Sequence, residues 1–155
     1  LLWMSAVNVS SGYLQVVGGL SLAAAGMALA FPAATEAIVG SLPQDKAGVA
    51  SAVNDTTREV GAAVGIALLG SLMSSGYRRS VGDAFDALPA AAAEAARDSV
   101  GAALHVAQQA PESVRSGLVL TARTGFAEGY SLAMMVGAAL LVTTAAVVFR
   151  WFPKD

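Results

Sequence analysis

The chain has 155 residues, of which 55% are hydrophobic and only 13% charged, and its mean hydropathy is +0.62. Soluble domains carry about 25% charged residues, so this composition argues against a secreted or cytosolic globular protein and favours a membrane protein. Nine lysines and arginines against eleven acids leave no basic field for nucleic-acid phosphates, which excludes nucleic acid as a partner. Without cysteine, and with a single histidine, we expect no metal site and no cofactor.

Charged residues are absent from three blocks of the sequence, at positions 1–35, 60–77 and 129–149. A helix that crosses about 30 Å of hydrocarbon needs about 20 residues. The blocks contain 35, 18 and 21 residues, so each is long enough, or nearly long enough, for one crossing. The predicted fold class is therefore an all-α membrane protein.

The first block is longer than one crossing, and a cluster of Asn, Ser and Gly interrupts it after position 7. Residues 1–9 are thus predicted to be the end of a preceding transmembrane helix, and residues 13–40 the first complete one. Residues 41–46 form a short loop. Residues 47–76 form the second transmembrane helix, whose beginning is polar.

A long connection at residues 77–128 follows this helix. Within it, Pro89 and Pro111 each stand at the start of a segment with helix-forming composition, which predicts a helical hairpin on the membrane surface or a partly disordered segment. Residues 129–149 form the last transmembrane helix, and residues 150–155 form the tail.

The short connections predict the orientation in the membrane. Lys46 lies in the loop at residues 41–46, and Arg150 and Lys154 lie in the tail on the same face. The excess of cations in short loops on the cytoplasmic side makes that face cytoplasmic. The long connection is then external, since long segments are translocated across the membrane largely regardless of their charge.

Four polar residues near the spans are candidate transport or gating residues: Glu36 near the end of the first span, and Asn54, Asp55 and Arg58 early in the second. Asp55 and Arg58 are three residues apart on a helix and can pair on one face. A functional interpretation makes these residues a charge network at the cytoplasmic mouth of a transport cavity. The alternative is that Arg58 reaches to lipid phosphates and Glu36 projects into water, as charges near an interface commonly do.

Small residues and a proline indicate helix packing. Gly61 and Gly65 are four residues apart on the second span and would let a neighbouring helix approach closely. Pro32 removes a backbone hydrogen bond within the first span and predicts a kink there. The chain contains no recognisable nucleophile, metal cluster or cofactor motif, so we do not expect an enzyme.

Three stretches of the chain resemble the C-terminal part of the fourteen-helix drug:proton antiporters of the major facilitator superfamily, the EmrB/QacA type. They are GYLQVVGGLSLAAAGMALAFPAATEAIVGSLP at 12–43, GVASAVNDTTREVGAAVGIALLGSLMSSGYRRSV at 48–81 and FAEGYSLAMMVGAALLV at 126–142. The run from Gly48 to Gly61 is the most specific, because it looks like the family's signature at the start of its penultimate helix.

The resemblance implies a multi-pass protein of the plasma (inner) membrane that exports small hydrophobic or cationic compounds in exchange for protons by alternating access. The chain would then contain helices twelve to fourteen together with the end of the helix that precedes them. We therefore expect a C-terminal fragment, and the chain also begins with Leu1 rather than methionine. Its partners would be membrane lipid and the missing N-terminal helices, and Arg58 with its neighbours would serve gating. The alternative is a stand-alone small membrane protein with a structural or assembly role.

Overall fold

The computed structural model describes residues 1–151, and these contain helices, turns and irregular segments but no β-strand. Three helical segments are long and apolar enough to cross a membrane: Tyr13–Gly40, Gln44–Val81 and Glu112–Trp151. Because such long apolar helices bury very little of their surface within the chain, they need an apolar surrounding. The prediction of an all-α, multi-pass membrane protein is confirmed.

The helices follow one another along the chain with short connections. They are α1 (Leu2–Ser5), α2 (Tyr13–Gly40), α3 (Ala47–Val81), α4 (Ala90–Asp98), α5 (Val100–Gln109) and α6 (Glu112–Trp151), with a 3-10 turn at Gln44–Lys46 before α3. The bounds of α2 are those predicted for the first complete span, and α2 stays helical through Pro32. The predicted tail begins inside α6, and residues 152–155 of that tail lie outside the described residues.

Helix α6 begins at Glu112, whereas the charge-free block of the sequence predicts a last span that begins at residue 129. Charged residues end a membrane span without ending a helix. At 1.5 Å per residue, the 40 residues of α6 extend about 60 Å, about twice the hydrocarbon thickness. The helix is thus longer than one crossing requires, and its charged residues, Arg150 apart, lie in its first part.

The alanine-rich segment after Pro89 forms two short helices instead of one. Ser99 separates α4 from α5 with an extended backbone (φ −156°, ψ 149°), and its Oγ accepts a hydrogen bond from the Ala102 amide at 3.1 Å. Serine competes for backbone hydrogen bonds in this way and favours the N-cap of a helix. The helix predicted to begin at Pro111 is the start of α6.

The chain divides into two compact units. The terminal unit consists of Leu1–Gly12 together with the residues from Leu69 onward, and the central unit is Tyr13–Leu68. Within the terminal unit, α1 packs on α6, where Ser131 Oγ donates a hydrogen bond to the Ser5 carbonyl oxygen at 2.6 Å.

The terminal unit contains a hydrophobic core that lies mostly between α3, α4, α5 and the first part of α6. Its buried members are Tyr77, Val81, Phe85, Ala93, Ala96, Ala103 and Ala122, with the partly buried Leu88, Val100, Leu104 and Leu118 against them. We call residues 82–110 the cap. The many alanines, which have little side chain to bury, allow α5 to lie close to both α4 and α6.

Polar contacts fasten the cap to the end of α3. The buried Tyr77 hydroxyl donates a hydrogen bond of 2.7 Å to the Ala96 carbonyl oxygen of α4. This carbonyl is among the last four of α4, which lack intrahelical donors, so the tyrosine satisfies it. An ion pair between Arg78 and Asp98 lies beside this bond, with both side chains half exposed.

The turn that follows α3 requires a glycine and is held by an arginine. Gly82 has φ +45°, a left-handed conformation that side chains disfavour. Arg97 Nε donates to the Gly82 carbonyl oxygen at 3.3 Å, and the same guanidinium pairs with Asp86. The cap is therefore an ordered part of the terminal unit.

Candidate functional site

The central unit contains a cavity of about 580 Å³, lined by Phe31, Asp55, Arg58, Glu59 and Ala62. Phe31 comes from α2 and the other four residues from α3. Positions 55, 58, 59 and 62 are spaced three, four and seven residues from the first, so they share one face of α3. The volume lies within the range of about 300–1,000 Å³ that is typical of sites for small molecules.

The guanidinium of Arg58 lies over the ring of Phe31, with its central carbon 4.6 Å from the ring centroid. A cation within about 6 Å of an aromatic centroid is attracted by the negative face of the ring, by about 0.5–1 kcal/mol at exposed sites. Phe31 remains 46% exposed, so the ring is accessible beside the guanidinium. This contact connects α2 with α3 at the cavity.

The ion pair predicted between Asp55 and Arg58 is not formed, and within residues 1–151 Arg58 has no acidic group within 4.0 Å. Asn54 takes the place of Arg58: its Nδ2 donates to Asp55 Oδ1 at 3.3 Å, and Asn54 itself is only 6% exposed. An exposed ion pair contributes only about 0–1 kcal/mol, so the spacing alone does not enforce it. The guanidinium therefore lies on the aromatic ring.

The structure brings together three of the four predicted transport residues. Asn54 and Asp55 are in contact, and Arg58 lines the same cavity as Asp55. Glu36 is exposed on α2 and does not line the cavity. It follows Phe31 by five residues, which places it about 140° around the helix from the ring.

Sequence reasoning did not identify Phe31. The residue stands beside Pro32 in an apolar span, where a single phenylalanine is unremarkable. Its partner Arg58 is on another helix, so neither a spacing nor a motif connects the two. An aromatic residue next to a proline, on the helix that precedes the polar segment, is the only signal that could have suggested it.

The predicted packing glycines face open space in this structure. A Cβ added at Gly61 or Gly65 would have no neighbour within 4 Å among the described residues. Their proposed contact with a neighbouring helix therefore stays a prediction.

A different glycine pair forms the close helix contact, between α3 and α6. A Cβ at Gly76 would lie 2.7 Å from the Gly129 Cα atom. A Cβ at Gly129 would lie 2.8 Å from the Tyr77 amide nitrogen and closer still to the Met73 carbonyl oxygen. These are backbone atoms, so the two helices touch backbone to backbone, as small residues permit in membranes.

Small buried residues continue this contact along α6, at intervals of three or four positions. They are Ala122, Gly125, Gly129, Ala133 and Gly137. This spacing places them on one face of the helix. The stripe is visible in the sequence but was not singled out there.

Curated proteins similar to this chain carry names of drug exporters or resistance proteins. The multidrug efflux pump LfrA of Mycolicibacterium smegmatis is 36% identical over 123 residues, which cover 79% of this chain and 24% of LfrA. The multidrug resistance protein Stp of Mycobacterium tuberculosis is 29% identical over 148 residues, which cover 90% of this chain and 28% of Stp.

The methyl viologen resistance protein SmvA of Salmonella typhimurium is 31% identical over 153 residues, which cover 96% of this chain and 30% of SmvA. No family model matches the chain, and no solved structure matches it. The chain is thus a multi-pass membrane protein with homologues named as multidrug efflux and resistance proteins, and it spans less than one third of their length.

Proposed function

We propose that this chain is the C-terminal part of a secondary transporter of the EmrB/QacA type in the major facilitator superfamily. The transporter would export small hydrophobic or cationic compounds across the plasma membrane in exchange for protons. The observation that carries this proposal is the similarity of 79–96% of the chain to parts of three proteins named for drug efflux or resistance. The three long apolar helices agree with it.

In this proposal the loop at residues 41–46 and the tail face the cytoplasm, and the cap is external. Lys46 then marks the cytoplasmic boundary, and Arg58 lies twelve residues farther along, about 18 Å into the helical segment. Alternating access requires groups near each mouth that make and break contacts as one bundle of helices rocks against another. Arg58 fits this role, because its contact with Phe31 joins α3 to α2 and is made by two side chains, which can separate without a change in either backbone.

Asn54 and Asp55 would support the gate. The buried Asn54 fixes the Asp55 carboxylate by a hydrogen bond, so the carboxylate remains in the cavity beside Arg58 without neutralising it in an ion pair. Closing of the mouth would bring further helices of the protein against this set of charges. Glu36 would act separately, at the cytoplasmic end of α2.

Arg58→Ala in the intact transporter tests the proposal. We expect the variant to abolish export while its abundance in the membrane stays normal. Ethidium efflux and growth on methyl viologen are suitable measurements, the second because SmvA is named for resistance to that aromatic dication. Arg123→Ala is the matched control, since Arg123 is an exposed arginine of α6 that does not line the cavity.

Unchanged resistance in cells that carry Arg58→Ala would remove Arg58 from the mechanism. Reading the gene upstream of Leu1 tests the wider proposal. The remaining helices of a fourteen-helix protein should precede Leu1, whereas a nearby start codon would favour a stand-alone membrane protein with a structural or assembly role.

A further inference from the structure

We propose that a second cavity, between α1 and α6 in the terminal unit, binds a small inorganic monovalent cation such as Na⁺ through oxygen atoms. The cavity has a volume of about 300 Å³, and its polar lining residues are Ser5, Asn8, Thr124, Glu128 and Ser131. The inference does not depend on the proposed export function, because the two cavities share no lining residue.

The first observation is the charge of this lining. Glu128 is the charged residue among those that line the cavity, so the formal charge of the lining is −1. Its carboxylate has no cationic group within 4.0 Å in the part of the chain that the structure describes. Divalent metals in proteins usually take more than one carboxylate, and the described residues hold no cluster of three acidic or histidine side chains. The charge therefore matches a monovalent cation.

The second observation is that two hydroxyl groups of the lining act as acceptors only. Ser5 Oγ donates its proton to the Leu2 carbonyl oxygen at 2.8 Å, and Ser131 Oγ donates its proton to the Ser5 carbonyl oxygen at 2.6 Å. Carbonyl oxygens cannot donate, so both serine protons are already used and the lone pairs of both hydroxyl oxygens remain. Such oxygen atoms are the ligands that hard cations prefer.

The third observation is that both walls of the cavity are ordered by contacts within the chain. Thr124, Glu128 and Ser131 are four and three residues apart, so they share one face of α6. On the opposite wall, Asn8 Oδ1 accepts a hydrogen bond from the Ser10 amide at 2.9 Å, which holds the turn after α1. The oxygen atoms are thus brought to one place without a ligand.

The remaining lining residues and the volume set the expected strength of binding. Ala6, Val7, Val9 and Ala127 make the rest of the wall apolar, which lowers the local dielectric constant and strengthens the attraction of the carboxylate for a cation. A water molecule occupies about 30 Å³, so the ion would keep several waters in a cavity of this size. We therefore expect weak, millimolar binding. The sequence suggested no metal site because cysteine and histidine are scarce, but oxygen ligands need neither.

Broadening of the Na⁺ NMR signal by the full-length protein in detergent tests this inference, with choline chloride keeping the ionic strength constant. Glu128→Gln keeps the shape of the side chain and removes its charge, so we expect affinity for Na⁺ to fall about 10-fold. Thr124→Val removes one oxygen ligand at the same size and should lower the affinity about 3-fold. It provides a second variant if Glu128→Gln does not fold.

Matched controls separate this cavity from general attraction to acidic residues. Glu94→Gln removes the same charge from an exposed position of α4, and Thr143→Val removes a hydroxyl group elsewhere on α6. Neither residue lines the cavity, so both variants should bind Na⁺ as the unchanged protein does. K⁺ should displace Na⁺. Choline should not, because methyl and methylene groups surround its charged nitrogen and prevent contact with oxygen ligands.

The inference is overturned if Glu128→Gln binds Na⁺ as tightly as the unchanged protein, or if Glu94→Gln loses as much affinity. It is also overturned if choline displaces Na⁺ as well as K⁺ does. Arg58→Ala leaves this lining intact and should bind Na⁺ normally, so a failure of the export proposal can be told from a failure of this inference.

Discussion

The contact between α3 and α6 makes Gly129→Ala a demanding test of the terminal unit. The added Cβ would lie 2.8 Å from the Tyr77 amide nitrogen and closer to the Met73 carbonyl oxygen. Carbon atoms pack at about 3.5–4.0 Å, so the helices must separate by about 1 Å at this point. Neither backbone atom can rotate away, so the separation has to spread along the crossing.

The expected loss of stability follows from two opposing effects. Forcing an extra methyl group into a tight contact costs about 1–3 kcal/mol, and the backbone clash at Gly129 places it near the upper value. Replacement of glycine by alanine within a helix returns up to about 1 kcal/mol. We expect a net loss of about 2 kcal/mol, which lowers Tm by about 4–8 °C for a chain of this size.

Thermal unfolding in detergent, followed by size-exclusion chromatography of heated samples, measures this change. Gly117→Ala is the matched control on the same helix, because a Cβ at Gly117 meets nothing within 4 Å. The control should keep or slightly raise Tm. If Gly129→Ala were as stable as Gly117→Ala, the close crossing of α3 and α6 would be refuted.

Two further predictions concern the cap. Tyr77→Phe leaves the buried Ala96 carbonyl without its hydrogen-bond donor, which should lower the stability of the cap by about 1–3 kcal/mol. We therefore expect faster proteolysis of the cap. Tyr13→Phe, at an exposed position, is the control and should not change the rate of proteolysis. His105→Cys should react with an impermeant maleimide added outside intact cells, whereas Lys46→Cys should react only after the cells are permeabilised. The reverse pattern would contradict the proposed orientation.

The sequence predicted the membrane helices better than their ends. The bounds of α2 could be read from the sequence because turn-forming residues come before Tyr13 and a proline follows Gly40. The start of α6 could not, since the charge pattern reports where the lipid ends and not where the helix ends. Glu112 begins a helix whose first part is charged and whose second part is apolar.

The candidate site shows the same division between local and distant information. The spacing of Asp55 and Arg58 predicted a contact within one helix, because only intrahelical neighbours follow from a spacing. The observed partner of Arg58 is Phe31 on α2, and no pattern in the sequence encodes which helix packs against which. Composition and spacing thus located the polar segment but could not supply its partner.

Glycine motifs illustrate a further limit. Gly61 and Gly65 have the same spacing as Gly125 and Gly129, yet only the second pair lies at a close contact within the described residues. A glycine pair makes a close approach possible, and the partner helix decides whether it occurs.

The central claim is that lipid surrounds the three long apolar helices. Ultracentrifugation of lysed cells followed by an alkaline carbonate wash of the membrane pellet tests this claim most directly. We expect the protein to stay in the washed pellet and to leave it only with detergent. Recovery of the protein in the supernatant, monodisperse in plain buffer, would contradict the account.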